Sequence, residues 1–226
     1  MTTFETLRDA LKRPEGMWTL ASNAVPVIGV VFFGWAALPL MIYYWFENLT
    51  IGVFNLPKIL LAGLTKPWPQ KFLALFLTPF FAFHYGLFCA VHGAFVLAIF
   101  AASDLFAGRA EPTPDSFNIF IRIPDILRND GHLRWSIVVL VLIQAFRFVV
   151  LWLGRAQWRD TDPPRQMQEP YGRVVVLHAT ILVGAIPVVA LGEPAIGVFV
   201  LALFKTALEL GLPQLQFGGR PTQDTA

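Results

Sequence analysis

The chain has 226 residues, of which 56% are apolar and only 14% are charged, and its mean hydropathy is +0.60. Because soluble globular domains carry about 25% charged residues, this composition excludes an ordinary soluble protein. The formal net charge is only +2, and the basic residues lie in short loops instead of a patch interleaved with aromatics. We therefore expect no nucleic acid partner.

The apolar residues form long continuous runs. A hydrocarbon core about 30 Å thick needs about 20 helical residues per crossing. Six runs of roughly this length or more are residues 18–36, 37–63, 71–102, 135–154, 171–191 and 194–213. We predict an all-α fold, a polytopic transmembrane bundle of six helices that forms one membrane domain over residues 1–226.

Three segments lie outside these runs. Residues 1–17 carry apolar side chains at helical spacing, which predicts either an amphipathic N-terminal segment on the cytoplasmic surface or a partly ordered loop. Residues 103–134 form an outer loop, and the stretch from Phe117 to Trp135 mixes apolar and charged residues. This stretch is predicted either to dip into the membrane interface or to be a partly ordered loop. Residues 214–226 form a cytoplasmic tail.

The placement of Lys and Arg indicates the orientation, because cytoplasmic loops retain positive charge. With the N-terminus inside, the cytoplasmic segments contain Arg8, Lys12, Arg13, Lys66, Lys71, Arg155, Arg159, Arg165, Arg173 and Arg220. The outside contains Arg109, Arg122, Arg128 and Arg134, all in one long loop. We therefore predict that both termini are cytoplasmic and that the chain is a multi-pass protein of the bacterial inner membrane.

The second run carries a stripe of polar side chains. At 100° per residue, the stripe covers an arc of roughly 100° and consists of Tyr44, Glu47, Asn48, Asn55 and Lys58. Glu47 and Lys58 are about 16 Å apart along the helix axis, so they cannot pair with each other. Each needs another partner. The stripe is either part of a functional interior or a set of interhelical hydrogen bonds with a Lys58 that reaches the headgroups.

The third run has two distinct faces. Gly86, Ala90 and Gly93 form a ridge of small residues that predicts close approach of a neighbouring helix. His84 and His92 lie on the other side, about 12 Å apart along the axis, so one metal ion cannot bind both. They are either hydrogen-bonded packing residues or a face that handles protons or contacts a ligand.

The later runs add polar residues that are predicted to share a layer near the cytoplasmic boundary. This layer consists of Asn55, Lys58, Arg147, His178, Lys205 and Glu209. Its surplus of positive charge predicts binding of an anion, such as a lipid phosphate or a carboxylate. The alternative is that Lys58 and Arg147 each reach headgroups independently.

Glu47 falls in a different layer, at the depth expected for His84. Within hydrogen-bond reach, the two would form a proton relay or a partial metal site. Two protein ligands are too few for a structural zinc site. We therefore predict no metal site, and the sequence names no cofactor.

Several motifs resemble those of an uncharacterised bacterial and archaeal family of integral membrane proteins. These are the run from Tyr44 to Asn48 with Asn55 and Lys58, then His84-Tyr85-Gly86, His92-Gly93, and Lys205 with Glu209. The resemblance extends over nearly the whole chain and implies a six-helix membrane protein. The family has no assigned activity, so the resemblance adds no chemistry.

These observations leave three functional hypotheses. The first is a membrane protein whose polar centre binds an anionic lipid or small anion, or relays protons. The second is an accessory subunit that docks a partner membrane subunit. The third is a membrane enzyme that uses His and Glu ligands for a metal or haem.

Overall fold

The structure is a computed structural model that describes residues 28–29, 32, 37–106, 111, 113–172 and 174. Within these residues it contains helices and no strand. The α-helices are α1 (Ala37–Leu64), α2 (Trp68–Phe106), α3 (Ile119–Asn129), α4 (Gly131–Phe146) and α5 (residues 163–172). Shorter 3-10 turns cover Pro114–Phe117 and Gln157–Arg159, and a π-helical segment, Arg147–Leu153, extends α4.

The all-helical prediction is confirmed for the described residues. The second and third predicted runs correspond to α1 and α2, and the fourth corresponds to α4 with its π-helical extension. The predicted outer loop, residues 103–134, is not simply a loop, because it contains the whole of α3. The runs at 18–36, 171–191 and 194–213, and both terminal segments, lie wholly or mostly outside the described residues.

Two helical stretches are both long and apolar enough to cross a membrane. They are Trp68–Ala101, with mean hydropathy 1.7, and Gly131–Leu153, with mean hydropathy 2.4. Both expose large apolar side chains, for example Phe83 at 75% and Leu142 at 63%. The described part of the chain therefore contains two candidate spans.

The π-helical extension of α4 packs on α1. The rings of Phe54 and Phe148 are 5.9 Å apart, and Nζ of Lys58 lies 5.9 Å from the ring of Trp152. Both contacts advance by four residues along each helix in the same direction, so α1 and α4 run parallel. Phe148 and Trp152 stack on each other at 5.7 Å and form the face that meets α1.

Helix α5 lies against α1 and α2. Pro163 is placed at Gly63, near the end of α1, and the ring of Tyr171 lies 6.0 Å from that of Tyr85 on α2. Val174, the last described residue, belongs to the apolar cluster that also contains Phe81. The segment after residue 162 therefore forms a helix inside the bundle.

Candidate functional site

Helices α1 and α2 are joined by a buried hydrogen bond from an indole to a backbone carbonyl. Nε1 of Trp45 donates to the carbonyl oxygen of Cys89 at 2.7 Å. Gly93 permits this contact, because a Cβ there would lie only 2.8 Å from Nε1 of Trp45. A side chain at position 93 would therefore push the indole away from its acceptor.

A second contact repeats this arrangement with the helices exchanged. The hydroxyl of Tyr85 on α2 donates to the carbonyl oxygen of Asn48 on α1 at 3.1 Å. The Tyr85 ring lies over Gly52, where a Cβ would be 2.6 Å from Cδ1 of Tyr85. In each case an aromatic donor reaches a carbonyl four residues before a glycine. We call the two contacts together the reciprocal contact.

The predicted ridge of small residues is only partly at an interface. Gly93 is buried against Trp45, but a Cβ on Gly86 would meet nothing within 4 Å. Two further glycines at which α1 approaches α2 closely are on α1, at Gly52 and Gly63. The close packing of α1 and α2 therefore depends on glycines from both helices.

We expect Trp45→Phe to lower stability modestly, by about 0.5–1.5 kcal/mol, because it removes the indole donor and retains an aromatic ring. The apparent melting temperature of the detergent-solubilised full chain measures this effect. Trp135→Phe is a matched control, since Trp135 is 67% exposed. An equal change in both variants would contradict a specific role for the Trp45 hydrogen bond.

Asn55 and Gln166 form a buried pair of side-chain amides between α1 and α5. Nδ2 of Asn55 donates to the backbone carbonyl of Gln166 at 3.0 Å, and Nε2 of Gln166 donates to Oδ1 of Asn55 at 2.9 Å. The residues are 2% and 3% exposed. Because a buried polar group without a partner is costly, this exchange of hydrogen bonds holds α5 in register with α1.

An ion pair lies beside the amide pair. Nζ of Lys58 is 4.0 Å from Oε1 of Glu169, and their side chains are 20% and 32% exposed. Nε2 of Gln166 also donates to Oε2 of Glu169. Lys58, Asn55, Gln166 and Glu169 together are called the polar cluster. The carboxylate of Glu169 offsets the charge of Lys58, which reduces the surplus of positive charge predicted for this layer.

The residues that were predicted to lie in the outer half of the bundle have different surroundings. Glu47 and Asn48 are 4% and 6% exposed, and His92 is 4% exposed with its ring 5.7 Å from Phe88. His84 is exposed and stacks on Phe80 at 5.6 Å. The structure therefore buries Glu47 and leaves His84 at the surface, where the His84 ring also lies 6.2 Å from Tyr171.

Arg147 is half-buried at the start of the π-helical segment, one residue before Phe148. His178, Lys205 and Glu209 lie outside the described residues.

The sequence reasoning missed Gln166 and Glu169, because it placed both in a loop before the fifth run. A local signal was available. Asp162 is followed by two prolines, which is typical of a helix start, and Oδ1 of Asp162 accepts a hydrogen bond from the backbone amide of Arg165 at 2.9 Å. Extending the helix back to residue 163 would have placed both residues on it.

A second group of residues lies where two loops meet at the ends of α1 and α4. Nζ of Lys66 donates to the backbone carbonyl of Arg159 at 2.6 Å. The guanidinium of Arg159 lies 4.9 Å from the ring of neighbouring Trp158. Among the residues that the structure describes, neither cation has a carboxylate within 4.0 Å. Lys66 and Arg159 together are called the loop pair, and Trp158 lies beside it.

Within the described ranges, no group of three or more His, Cys, Asp or Glu residues is placed to hold a metal ion. A sequence profile of DUF6498, a family of unknown function, matches residues 5–219. No curated protein and no solved structure matches the chain.

Proposed function

We propose that this chain, which belongs to the DUF6498 family of unknown function, is a multi-pass bacterial inner-membrane protein that binds an anionic lipid headgroup at its cytoplasmic end. The observation that carries the proposal is the loop pair, where Nζ of Lys66 contacts the backbone of Arg159 and, within the described ranges, neither cation has a carboxylate within 4.0 Å. A phosphate group would accept charge-assisted hydrogen bonds from both cations.

The distribution of charge supports this orientation. In the described residues, the end with the loop pair contains Lys58, Lys66, Lys71, Arg155, Arg159 and Arg165 against Asp160, Asp162 and Glu169. The opposite end contains Arg122, Arg128 and Arg134 against Glu111, Asp115, Asp125 and Asp130. An excess of Lys and Arg favours the cytoplasmic side. The proposal therefore places both termini in the cytoplasm, with six spans.

Aromatic residues support a headgroup as the ligand. Trp158 lies beneath Arg159, and Trp68, at the start of α2, is 71% exposed. Tryptophan is enriched at the level of the headgroups. The anion is therefore proposed at the loop pair, whereas Lys58, deeper in the bundle, already faces Glu169.

The test is lipid binding by native mass spectrometry of the full chain, with phosphatidylglycerol added to a zwitterionic background. Each cation near an anionic surface contributes about 1 kcal/mol, so Lys66→Gln with Arg159→Gln should weaken binding by about 30-fold. The matched control, Arg128→Gln with Arg134→Gln, makes the same charge change at the opposite end. Glycerol phosphate without acyl chains distinguishes a lipid from a soluble anion.

Three results would count against the proposal. Retention of phosphatidylglycerol by the loop-pair variant would remove Lys66 and Arg159 from the site. An equal loss in the control variant would show a general charge effect. Equal affinity for glycerol phosphate and the lipid would make the ligand a small soluble anion.

A second candidate is an accessory membrane subunit. This candidate is favoured because two residues of the polar stripe interact with other residues of the same chain. Asn55 forms hydrogen bonds with Gln166, and Lys58 pairs with Glu169. Residues that fasten one helix to another need no ligand. A stoichiometric partner chain that remains bound in the same mass spectra, with no retained lipid, would favour this candidate.

A further inference from the structure

Helix α3 presents three different surfaces around its circumference. At 100° per residue, its inner face spans about 60°, its apolar flank about 100° and its polar flank about 60°. The inner face consists of Ile119, Ile123 and Ile126, the apolar flank of Phe120, Ile121 and Pro124, and the polar flank of Arg122, Asp125 and Asn129. Exposed Arg128 falls within the arc of the apolar flank, where a long cationic side chain can lay its apolar stem along the surface and extend its charge to the headgroups. A helix that packs on a core and faces only water needs two surfaces.

The inner face is held against the bundle. Ile123 is 6% exposed, and Ile126 packs with Leu127 against the apolar cluster that contains Tyr43 and Leu133. The start of the helix is also defined, because the side chain of Asn118 accepts a hydrogen bond from the backbone amide of Phe120 at 3.0 Å. The orientation of α3 on the bundle is therefore set by contacts other than those of its apolar flank.

The apolar flank is strongly exposed. Phe120 is 81% exposed and Ile121 is 47% exposed, and neighbouring Phe117 is 42% exposed. The residues of the polar flank interact with one another. Arg122 pairs with Asp125 at 3.5 Å, and Nδ2 of Asn129 donates to the backbone carbonyl of Asp125 at 3.0 Å. Water can therefore solvate the polar flank, whereas contact with water is unfavourable for the large apolar side chains of the apolar flank.

The apolar flank lies beside the outer end of a candidate span. Helix α3 ends at Asn129, and helix α4 begins at Gly131, so only the capping residue Asp130 separates them. The exposed large apolar side chains of α4 are Trp135, Val138, Val139, Val141, Leu142 and Phe146. All of them except Val141 lie within an arc of about 100°. Trp135, the fifth residue of the helix, is 67% exposed, and tryptophan near the end of a span is typical of the membrane interface.

We propose that α3 lies in the outer membrane–water interface, with Phe120 and Ile121 inserted among lipid acyl chains and with its polar flank in water. The occupant of the apolar flank is therefore the lipid bilayer. Amphipathic helices that lie in the interface bury one apolar side at the boundary between headgroups and acyl chains. This site is at the end opposite the loop pair, so it does not depend on headgroup binding there.

The test uses spin labels on the full chain in vesicles of phosphatidylethanolamine and phosphatidylglycerol. Phe120→Cys reports the apolar flank and Asn129→Cys, on the same helix, is the matched reporter of the polar flank. The wild type is the blank, since Cys89 is its single cysteine and is 3% exposed. Collision with oxygen, which concentrates in lipid, is compared with collision with a water-soluble nickel complex.

We expect oxygen to exceed the nickel complex several-fold at position 120 and the order to reverse at position 129. A label at 120 that prefers the nickel complex would place this flank in water and overturn the proposal. A label at 120 that is shielded from both reagents would mean that a protein chain covers it, which also overturns the proposal. Ile121→Cys repeats the measurement on the same flank should Phe120→Cys fail to fold.

Discussion

Gly52→Val is expected to destabilise the protein by about 3 kcal/mol or more, the largest effect predicted for a single substitution here. A Cβ at this position would lie 2.6 Å from Cδ1 of Tyr85, and valine adds two further methyl groups. The Tyr85 hydroxyl would then move away from the Asn48 carbonyl, to which it donates at 3.1 Å. The expected readout is a clear fall in the apparent melting temperature of the solubilised full chain, or loss of monodisperse protein.

Gly86→Val is the matched control, because it makes the same change in α2 where a Cβ would meet nothing within 4 Å. Its stability should remain close to that of the wild type, since valine is a slightly better helix former than glycine. Equal melting temperatures for the two valine variants would show that the close packing of Tyr85 on Gly52 does not stabilise the protein.

Asn55→Leu is expected to cost about 1–3 kcal/mol. The substitution leaves the buried backbone carbonyl of Gln166 without the amide donor that now lies 3.0 Å away. Nε2 of Gln166 also loses its acceptor on Asn55 but keeps Glu169. Thermal melting of the full chain measures the loss. Asn129→Leu on the polar flank of α3 is the control, and its stability is expected within about 0.5 kcal/mol of the wild type.

A double-mutant cycle with Gln166→Leu separates the pair from other effects. Residues that share hydrogen bonds show coupling of about 0.5–3 kcal/mol, whereas distant sites add within about 0.5 kcal/mol. We therefore expect Gln166→Leu to cost less in the Asn55→Leu background than in the wild type. Additive costs would show that the amide exchange does not link α5 to α1.

The long helices were predictable because each depends on local information. Continuous apolar runs longer than about 20 residues predicted α1, α2 and α4 to within about four residues of their observed starts. Helix α3 and the first part of α5 were missed because neither is a long continuous apolar run. Their only sequence signals are a capping residue and amphipathic spacing, which are weaker than such a run. Asn118 and Asp162 supply these caps.

The candidate site was only partly predictable. Spacing of 100° per residue placed Glu47, Asn55 and Lys58 on one stripe, and the structure buries the first two. The carboxylate that faces Lys58 was not foreseen, because it comes from α5. The same limit applies to the loop pair, since Lys66 and Arg159 are 93 positions apart in sequence.

The sequence by itself determined the all-helical character of the described chain, because backbone hydrogen bonding within a helix and apolar periodicity are properties of neighbouring residues. It also determined which side chains are costly to leave in an apolar environment. Only the tertiary structure decided their partners, since Trp45 with Cys89, Asn55 with Gln166 and Lys58 with Glu169 meet through helix packing. Such pairings depend on the distance and rotation between helices. Close approach at glycines sets this geometry, and no local sequence pattern encodes it.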